Sequence, residues 1–393
     1  MYLVKLVSRQ RNYFSIGKDY TENLSLIVHS DTLFSAICNN FRKIYGNETL
    51  EDLLTYLVGL GDNDEKYFRL SSCFHYIDIY REAELCDTIY FLPNPLVKFP
   101  LDDQSEEFRK ENPKILKKIQ FISYEVLKKL QQGQNLSLSQ FHILDNNYLI
   151  DEKDIRLLGL ERFLTLIKEP NNHLERIERA IRRKITIFDI IDEQRVRINR
   201  ISEHSDPFTE SKLKFYSSNY YLQKNDKNID LQLVPGYYFI VDFSGINNDL
   251  IDKIKSSIRL IIDEGLGGKR SIGCGLVDEV DFRELDDGFE YFDLFNNNEK
   301  GYFTNISLVY PNKEEIENVK FFNIYGRSGF VYSADNTSQR FNDVKFIEEG
   351  AVFKKKIQGK LVQVASDEFI KNYHRIYKNG IGFYLNIGKL NGD

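Results

Sequence analysis

Cysteine, proline and long apolar runs are all scarce in this chain of 393 residues, and each shortage removes a class of function. Four cysteines occur, Cys38, Cys73, Cys86 and Cys274, far apart and with no Cys-x-x-Cys pair or histidine at ligand spacing. Neither a zinc site nor a disulfide framework is indicated, and a reducing, cytoplasmic setting fits this usage. No apolar run approaches the roughly 20 residues of a membrane-spanning helix, and the N-terminal "MYLVKLVSRQRNYFSIG" alternates like a strand instead of reading as a signal peptide. With 23 glycines and 8 prolines, collagen-like or largely disordered character is excluded. Positive charge is not in excess either: 53 Lys and Arg stand against 59 Asp and Glu, a formal net charge of −6. That balance argues against a protein coated in nucleic acid, while leaving room for a local basic groove. Acidic pairs such as Asp102-Asp103, Asp151-Glu152 and Asp286-Asp287 are isolated, so neither a metal nor a cofactor is expected.

What is present reads as an ordinary α+β protein. Hydrophobic residues make up 42 % and charged residues 28 %, and the length suggests two domains. Tyr2 to Ser8 has the alternation of a strand, and "HSDTLFSAICNNFRKIY" has helical spacing at Leu33, Phe34, Ile37, Phe41 and Ile44 with Ser30 or Asp31 where an N-cap belongs. Strand-like runs follow at Tyr67 to Ile77 and Thr88 to Pro95. From about residue 98 to 228 the chain is charged, mixed and partly helical, and is read as an insertion. "YYFIVDF" then predicts a strand, and Leu250, Ile251, Ile254, Ile258, Ile261 and Ile262 form the stripe of an amphipathic helix, followed by a strand at Leu276 to Phe282. Without the insertion, residues 1–285 give β-α-β-β-α-β, the split ferredoxin-like unit. Residues 286–393 offer four strand candidates and a polar helix near Glu314 to Lys320, a second ferredoxin-like or related domain.

The segment most in need of explanation is "GLGGKRSIGCG", Gly265 to Gly275, with five glycines in eleven positions around Lys269, Arg270 and Ser271. It follows a helix and precedes a strand, the reverse of a Walker A loop, and it breaks the dinucleotide pattern at Arg270. An anion-binding concavity of glycine-permitted amides, with Lys269 and Arg270 reaching phosphate oxygens, is one reading; a helix C-cap with a tight turn is the other. In "RVRINR", Arg195 and Arg197 share one face of a strand at a spacing of about 7 Å, suited to a phosphate backbone, with a solvated hairpin as the alternative. "HSD" at His29 to Asp31 invites a triad reading, but neighbours in sequence rarely hold triad geometry, and capping explains Ser30 and Asp31. "GRSGFVYS" and Lys354 to Lys356 lie in a C-terminal stretch that is net basic; Phe330 and Tyr332 could stack bases or simply pack.

Taken together, "HSDTLFSAI", "RVRINR" with "DPFTESKLKFYSS", the glycine loop, "GRSGF" and "FIEEGAVF" resemble, in order and spacing, the RAMP family of CRISPR effector subunits, in particular the fourth subunit of type III-A (Csm) complexes. The resemblance implies two ferredoxin-like, RNA-recognition-like (βαββαβ) RAMP domains and a non-catalytic subunit. Its partners would be the 5′ handle of the CRISPR RNA (crRNA), a backbone RAMP subunit and the large polymerase-like Cas subunit, with no membrane involved. It further implies that Gly267, Gly268, Lys269, Arg270 and Ser271 contact the handle, that His29 and Ser30 lie beside the same groove, that Arg195, Arg197 and Arg200 follow the guide, and that Arg327 is a further RNA contact. Two other readings stay open. One is a metal-independent RAMP endoribonuclease with His29 as base and Lys269 or Tyr13 assisting; the other is a metabolic protein that binds a nucleotide or phosphate.

Overall fold

The computed structural model describes the chain apart from residues 10–12, 18–23, 61–67, 103–105, 108, 111–113, 115–116, 136–140, 146, 160–184, 199–204, 225–226, 296–300, 331–339 and 391–393. The first strand, β1 (Tyr2–Val7), carries the apolar residues Leu3, Val4 and Leu6 to full burial, as its β-branched and leucine content demands. After the two-residue β2 (Tyr13–Phe14) come α1 (Ser30–Tyr45) and α2 (Asn47–Gly59). Helix α1 buries Leu33, Phe34, Ile37 and Phe41, the stripe expected from a period of 3.6, and ends on Arg42 and Lys43 beside the negative end of its dipole. Its start differs from expectation. His29 is the N-cap residue and its side chain makes no capping bond; the Ser30 amide instead donates to Ser72 Oγ at 2.8 Å, so a distant serine supplies what a local one was expected to supply.

The run Tyr67 to Ile77 divides into β3 (Arg69–Leu70) and β4 (Phe74–Arg81) because Ser71 to Cys73 turn aside, their amides bonding to Ile240, Ile306 and Val28. β5 (Glu84–Pro93) follows. The supposed insertion is partly regular: β6 (Phe121–Ser123), α3 (Tyr124–Gln131), β7 (Phe141–Leu144), β8 (Tyr148–Asp151) and α4 (Glu152–Leu157). The long helix suggested by "ILKKIQFISYEVLKKLQQG" starts only at Tyr124, since Ser123 caps it by accepting the Val126 amide and Phe121 to Ser123 pair with β5. The helical pattern "HLERIERAIRRK" lies outside the described residues.

A long ribbon comes next, β9 (Phe188–Ile198) against β10 (Ser205–Phe215), and then β11 (Ser218–Lys224), β12 (Lys227–Asp242), α5 (Asn248–Arg259), α6 (Ile261–Glu264) and β13 (Glu279–Glu284). The core strands stand in the order β13-β1-β12-β4, all neighbours antiparallel, with α1 joining β1 to β4 and α5 lying between β12 and β13. Counting only those four strands in chain order, this is 4-1-3-2. β5, β6, β8 and β7 widen the sheet beyond β4, while β2, β10 and β9 form a separate three-stranded sheet.

The C-terminal part repeats the order. β14 (Tyr302–Asn305), β15 (Val319–Phe321), β18 (Val352–Phe353) and β21 (Tyr384–Gly388) are arranged β21-β14-β18-β15, again 4-1-3-2 and antiparallel. The expected helix near residue 314 is a 3₁₀ turn, Lys313–Asn318, held by an Asn312–Glu315 capping box. Two small ribbons, β16 (Ile324–Arg327) with β17 (Val344–Ile347) and β19 (Val362–Gln363) with β20 (Tyr377–Lys378), flank a short helix α7 (Asp367–Asn372). One apolar cluster runs from Leu3 to Ile387 and takes in Ile306, Val352, Phe383 and Leu385. Burial of this kind stabilises by about 25 cal/mol per Å² of apolar surface, so the contact between the two sheets is a packed one. Among the described residues, no helix is long and apolar enough to cross a membrane.

Candidate nucleic-acid interface

Glycines shape the loop after α6 for identifiable packing reasons. Gly265 ends the helix with φ +73°, and its amide donates back to Ile261. A Cβ at Gly267, φ +91°, would stand 2.7 Å from the Ser15 carbonyl oxygen, and one at Gly275, φ +77°, would overlap the Leu266 carbonyl oxygen. The loop is thus pressed on β2 and the residue after it, with Gly268 N–H donating to Ser15 O and Gly275 N–H to Tyr13 O. Three of the five glycines therefore serve close backbone approach, and the density of glycine alone is not an anion signal. The charge is. Lys269 sits in the left-handed region at φ +56°, and Arg270 opens a 3₁₀ turn, Arg270–Ile272.

Gly267, Gly268, Lys269, Arg270 and Ser271 come together as one wall of an open groove of about 620 Å³. The facing wall is α1, through Thr32, Ser35, Ala36 and Asn39. These α1 residues recur at i, i+3, i+4 and i+7, on the side of the helix away from its apolar stripe, so a small polar face at helical spacing is the signal that sequence reasoning passed over. Among the described residues, Glu264 is the one carboxylate lining the groove, and it is paired with Lys43.

The ribbon is tied to this loop. Glu210 on β10, only 4 % exposed, accepts Lys269 Nζ at 2.7 Å and pairs with Arg195 Nε on β9; Arg195 also donates to Glu193 at 3.0 Å. Glu193, in turn, accepts Lys212 at 2.9 Å. Arg195 and Arg197 lie on one face of β9 as expected, and the Arg197 guanidinium is 5.8 Å from the Phe208 ring centroid. Arg200 lies outside the described residues. Nothing local in the sequence marks Glu210, because it meets Lys269 only through the fold. Glu210→Gln removes a carboxylate that neutralises Lys269 at the groove and Arg195 on the ribbon, so RNA affinity is expected to rise a few-fold and the salt dependence to steepen. A titration at two salt concentrations that finds weaker binding instead means that the carboxylate positions the cations rather than masking them.

Three of the expected contacts are not at the surface. His29 is 3 % exposed, its Nδ1 3.0 Å from the Glu349 carboxylate, its Nε2 3.3 Å from Ser25 Oγ and its ring 4.2 Å from that of Tyr325. Ser30 is fully buried and its Oγ accepts the Leu308 amide at 3.0 Å. Arg327, 8 % exposed, grips Asp31 by two 2.8 Å bonds, and Lys378 Nζ stands 3.4 Å from the same carboxylate. Burial alone would raise the Asp31 pKa, but the Arg327 guanidinium and the Lys378 ammonium outweigh it and hold the carboxyl well below its usual range. "HSD" and "GRSGF" thus meet as a buried junction between α1 and the C-terminal part. Their polar groups are spent on protein partners, which corrects the expectation that His29, Ser30 and Arg327 are RNA contacts. A base must reach its substrate, so His29 in this position does not serve the endoribonuclease reading. Among the described residues, no group of three His, Cys, Asp or Glu is placed to hold a metal ion.

Comparison with known proteins agrees with this architecture. Residues 16–278 match the family model of the RAMP superfamily, and residues 298–387 match the CRISPR Csm4 C-terminal domain. The chain is 28 % identical over 381 residues to the CRISPR system Cms protein Csm4 of Methanocaldococcus jannaschii, covering 93 % of this chain and 89 % of that one. To the Csm4 protein of Thermococcus onnurineus it is 26 % identical over 264 residues, 66 % and 64 % of the two chains. Among solved structures, a Csm3-Csm4 subcomplex of the type III-A CRISPR-Cas interference complex contains a chain of the same fold, with a TM-score of 0.62, 23 % identity and coverage of 98 % and 99 %. A Csm1-Csm4 cassette in complex with cA4 gives a TM-score of 0.53 at 17 % identity, covering 100 % of this chain and 99 % of that one. By the family model that spans most of its length, the chain belongs to the RAMP superfamily, and it is a homologue of Csm4.

Proposed function

We propose that this protein is the non-catalytic subunit of a type III-A Csm complex that caps the 5′ handle of crRNA and joins a backbone RAMP subunit to the large polymerase-like subunit. The observation that carries the reading is the groove between α1 and the glycine loop, polar along one wall and cationic at Lys269 and Arg270 along the other. Its volume is within the range of ligand clefts, and its wall residue Lys269 is linked through Glu210 to Arg195 on the ribbon. Both 4-1-3-2 sheets are read as ferredoxin-like units, residues 1–285 with the insertion at about 98–228 and residues 286–393. That Csm4 chains of like fold are found with Csm3 and with Csm1 supports the assignment of the two protein partners. A net charge of −6 fits a subunit whose RNA contact is local and whose other faces meet protein.

The test is binding of a guide RNA with its intact 5′ handle against the same RNA with the handle scrambled, at two salt concentrations, with the backbone RAMP partner present. Preference for the intact handle is expected. Equal binding of the two RNAs, with a steep salt dependence, would reduce the groove to a generic phosphate track and move handle recognition to another subunit.

A further inference from the structure

The uncharged wall of the groove is bonded from behind. Thr32 and Ser35 line the groove on α1, and both are also partners of the buried junction with the C-terminal part. Lys378 Nζ on β20 donates to Ser35 Oγ at 3.2 Å, and the Arg327 guanidinium on β16 donates to Thr32 Oγ1. Ser35 Oγ in turn donates to the Asp31 carbonyl at 2.8 Å, and Thr32 Oγ1 to the Asp31 carboxylate at 3.3 Å. Neither Arg327 nor Lys378 is among the described residues that line the groove, and both side chains are largely buried.

A hydroxyl has one proton and two lone pairs, whereas a guanidinium or an ammonium can only donate. Each of the two hydroxyls therefore gives one lone pair to a cation and its proton to Asp31, and keeps one lone pair. Asn39 adds a third acceptor: its Nδ2 donates to the Ser35 carbonyl at 2.8 Å, which fixes the orientation of the amide and leaves Oδ1 outside that bond. At 1.5 Å per residue, Thr32 to Asn39 run about 10 Å along the helix axis. A phosphate oxygen, itself an acceptor, gains nothing from such a row, and Lys269 and Arg270 on the other wall are where phosphate belongs. The row fits a donor. With phosphates on the loop side, the donor that every ribonucleotide carries close to its phosphate is the ribose 2′-hydroxyl, the group by which a protein tells RNA from DNA. Amino groups are donors as well, but only some bases have them.

We propose that Lys378 and Arg327 are positioning residues for the groove: by donating to Ser35 and Thr32 from the C-terminal side they hold both hydroxyl protons inward, so that α1 presents lone pairs to ribose 2′-hydroxyls of the bound strand. The inference rests on the reading that the groove carries RNA. It adds that sugar is read on the helix wall while phosphate is held on the loop, and that C-terminal residues outside the groove set the preference for ribose.

The experiment uses the full chain and handle-bearing guide RNAs that carry a single 2′-fluoro nucleotide, which cannot donate, at each handle position in turn. Wild-type protein is expected to lose about three- to tenfold in affinity at one or two positions, the scale of one hydrogen bond. Ser35→Ala should lose as much with unmodified RNA and show no further loss at one of those positions. Lys378→Met, which removes no phosphate contact, should shrink the same penalty while its logarithmic salt slope stays at the wild-type value. A 2′-fluoro scan that is flat for the wild type overturns the proposal whatever the variants do. A Lys378→Met protein of lower stability with an undiminished 2′-fluoro penalty reduces Lys378 to a structural tie, and a fall in its salt slope makes it a direct phosphate contact; either result overturns the positioning role. Equal binding of intact and scrambled handles by the wild type refutes the handle reading instead, and is read independently of the scan.

Discussion

Arg327→Ala is expected to lower the stability of the folded chain by about 3–5 kcal/mol, the cost of leaving a buried charge without its partner. Asp31 is fully buried, and both of its oxygens accept from the Arg327 guanidinium. Lys378, 3.4 Å away, remains in the variant and softens the loss, so the lower half of that range is expected. The pH dependence has a definite sign. Asp31 is held below its ordinary pKa in the folded state, so its contribution is complete above the unfolded carboxylate value of about 3.9 and is lost only as pH falls further, through the folded value. Urea unfolding should therefore show a wild-type advantage that is constant from about pH 5 to 7 and shrinks below about pH 4. A variant of unchanged stability with weakened RNA binding would restore Arg327 to the RNA surface.

The contrast between Arg327 and Lys269 shows where sequence reasoning reaches its limit. Both are basic residues beside glycine in segments that resemble the same family, yet one is a buried tie and the other borders a groove. Periodicity found the helices and most strands because burial on one face repeats locally: α1 and α5 lie where their stripes predicted, and Tyr2 to Val7 is a strand. It failed where a partner from far along the chain decides. The Ser30 amide is satisfied by Ser72, Asp31 by Arg327 and Lys269 by Glu210, and none of these pairings leaves a trace in spacing. The glycine loop was found for a reason that proved incomplete, since Gly265, Gly267 and Gly275 answer to backbone approach. What the sequence did hold, unread, is the Thr32, Ser35, Ala36, Asn39 face, visible as small residues at helical spacing opposite the apolar stripe.

Lys269→Ala with Arg270→Ala is expected to weaken binding of handle-bearing RNA by about 1–3 kcal/mol, roughly 5- to 150-fold, on the scale of lost charge-assisted hydrogen bonds. Two charges fewer at the phosphates should also flatten the logarithmic salt dependence by about 1.4 for a single strand. The structure adds a complication that the measurement can use. Removing Lys269 leaves the Glu210 carboxylate, 4 % exposed, with Arg195 as its remaining partner beside the groove, so part of the loss is repulsion by Glu210 and not only missing attraction. Adding Glu210→Gln to the double variant should then recover a measurable share of the affinity and, by freeing Arg195, part of the salt slope, though less than wild type has because Lys269 and Arg270 are gone. Groups in one network do not contribute additively, and the recovered share is the coupling between loop and ribbon. If the double variant binds handle RNA as the wild type does, the loop only packs against Ser15, and the groove beside α1 is not the path of the RNA.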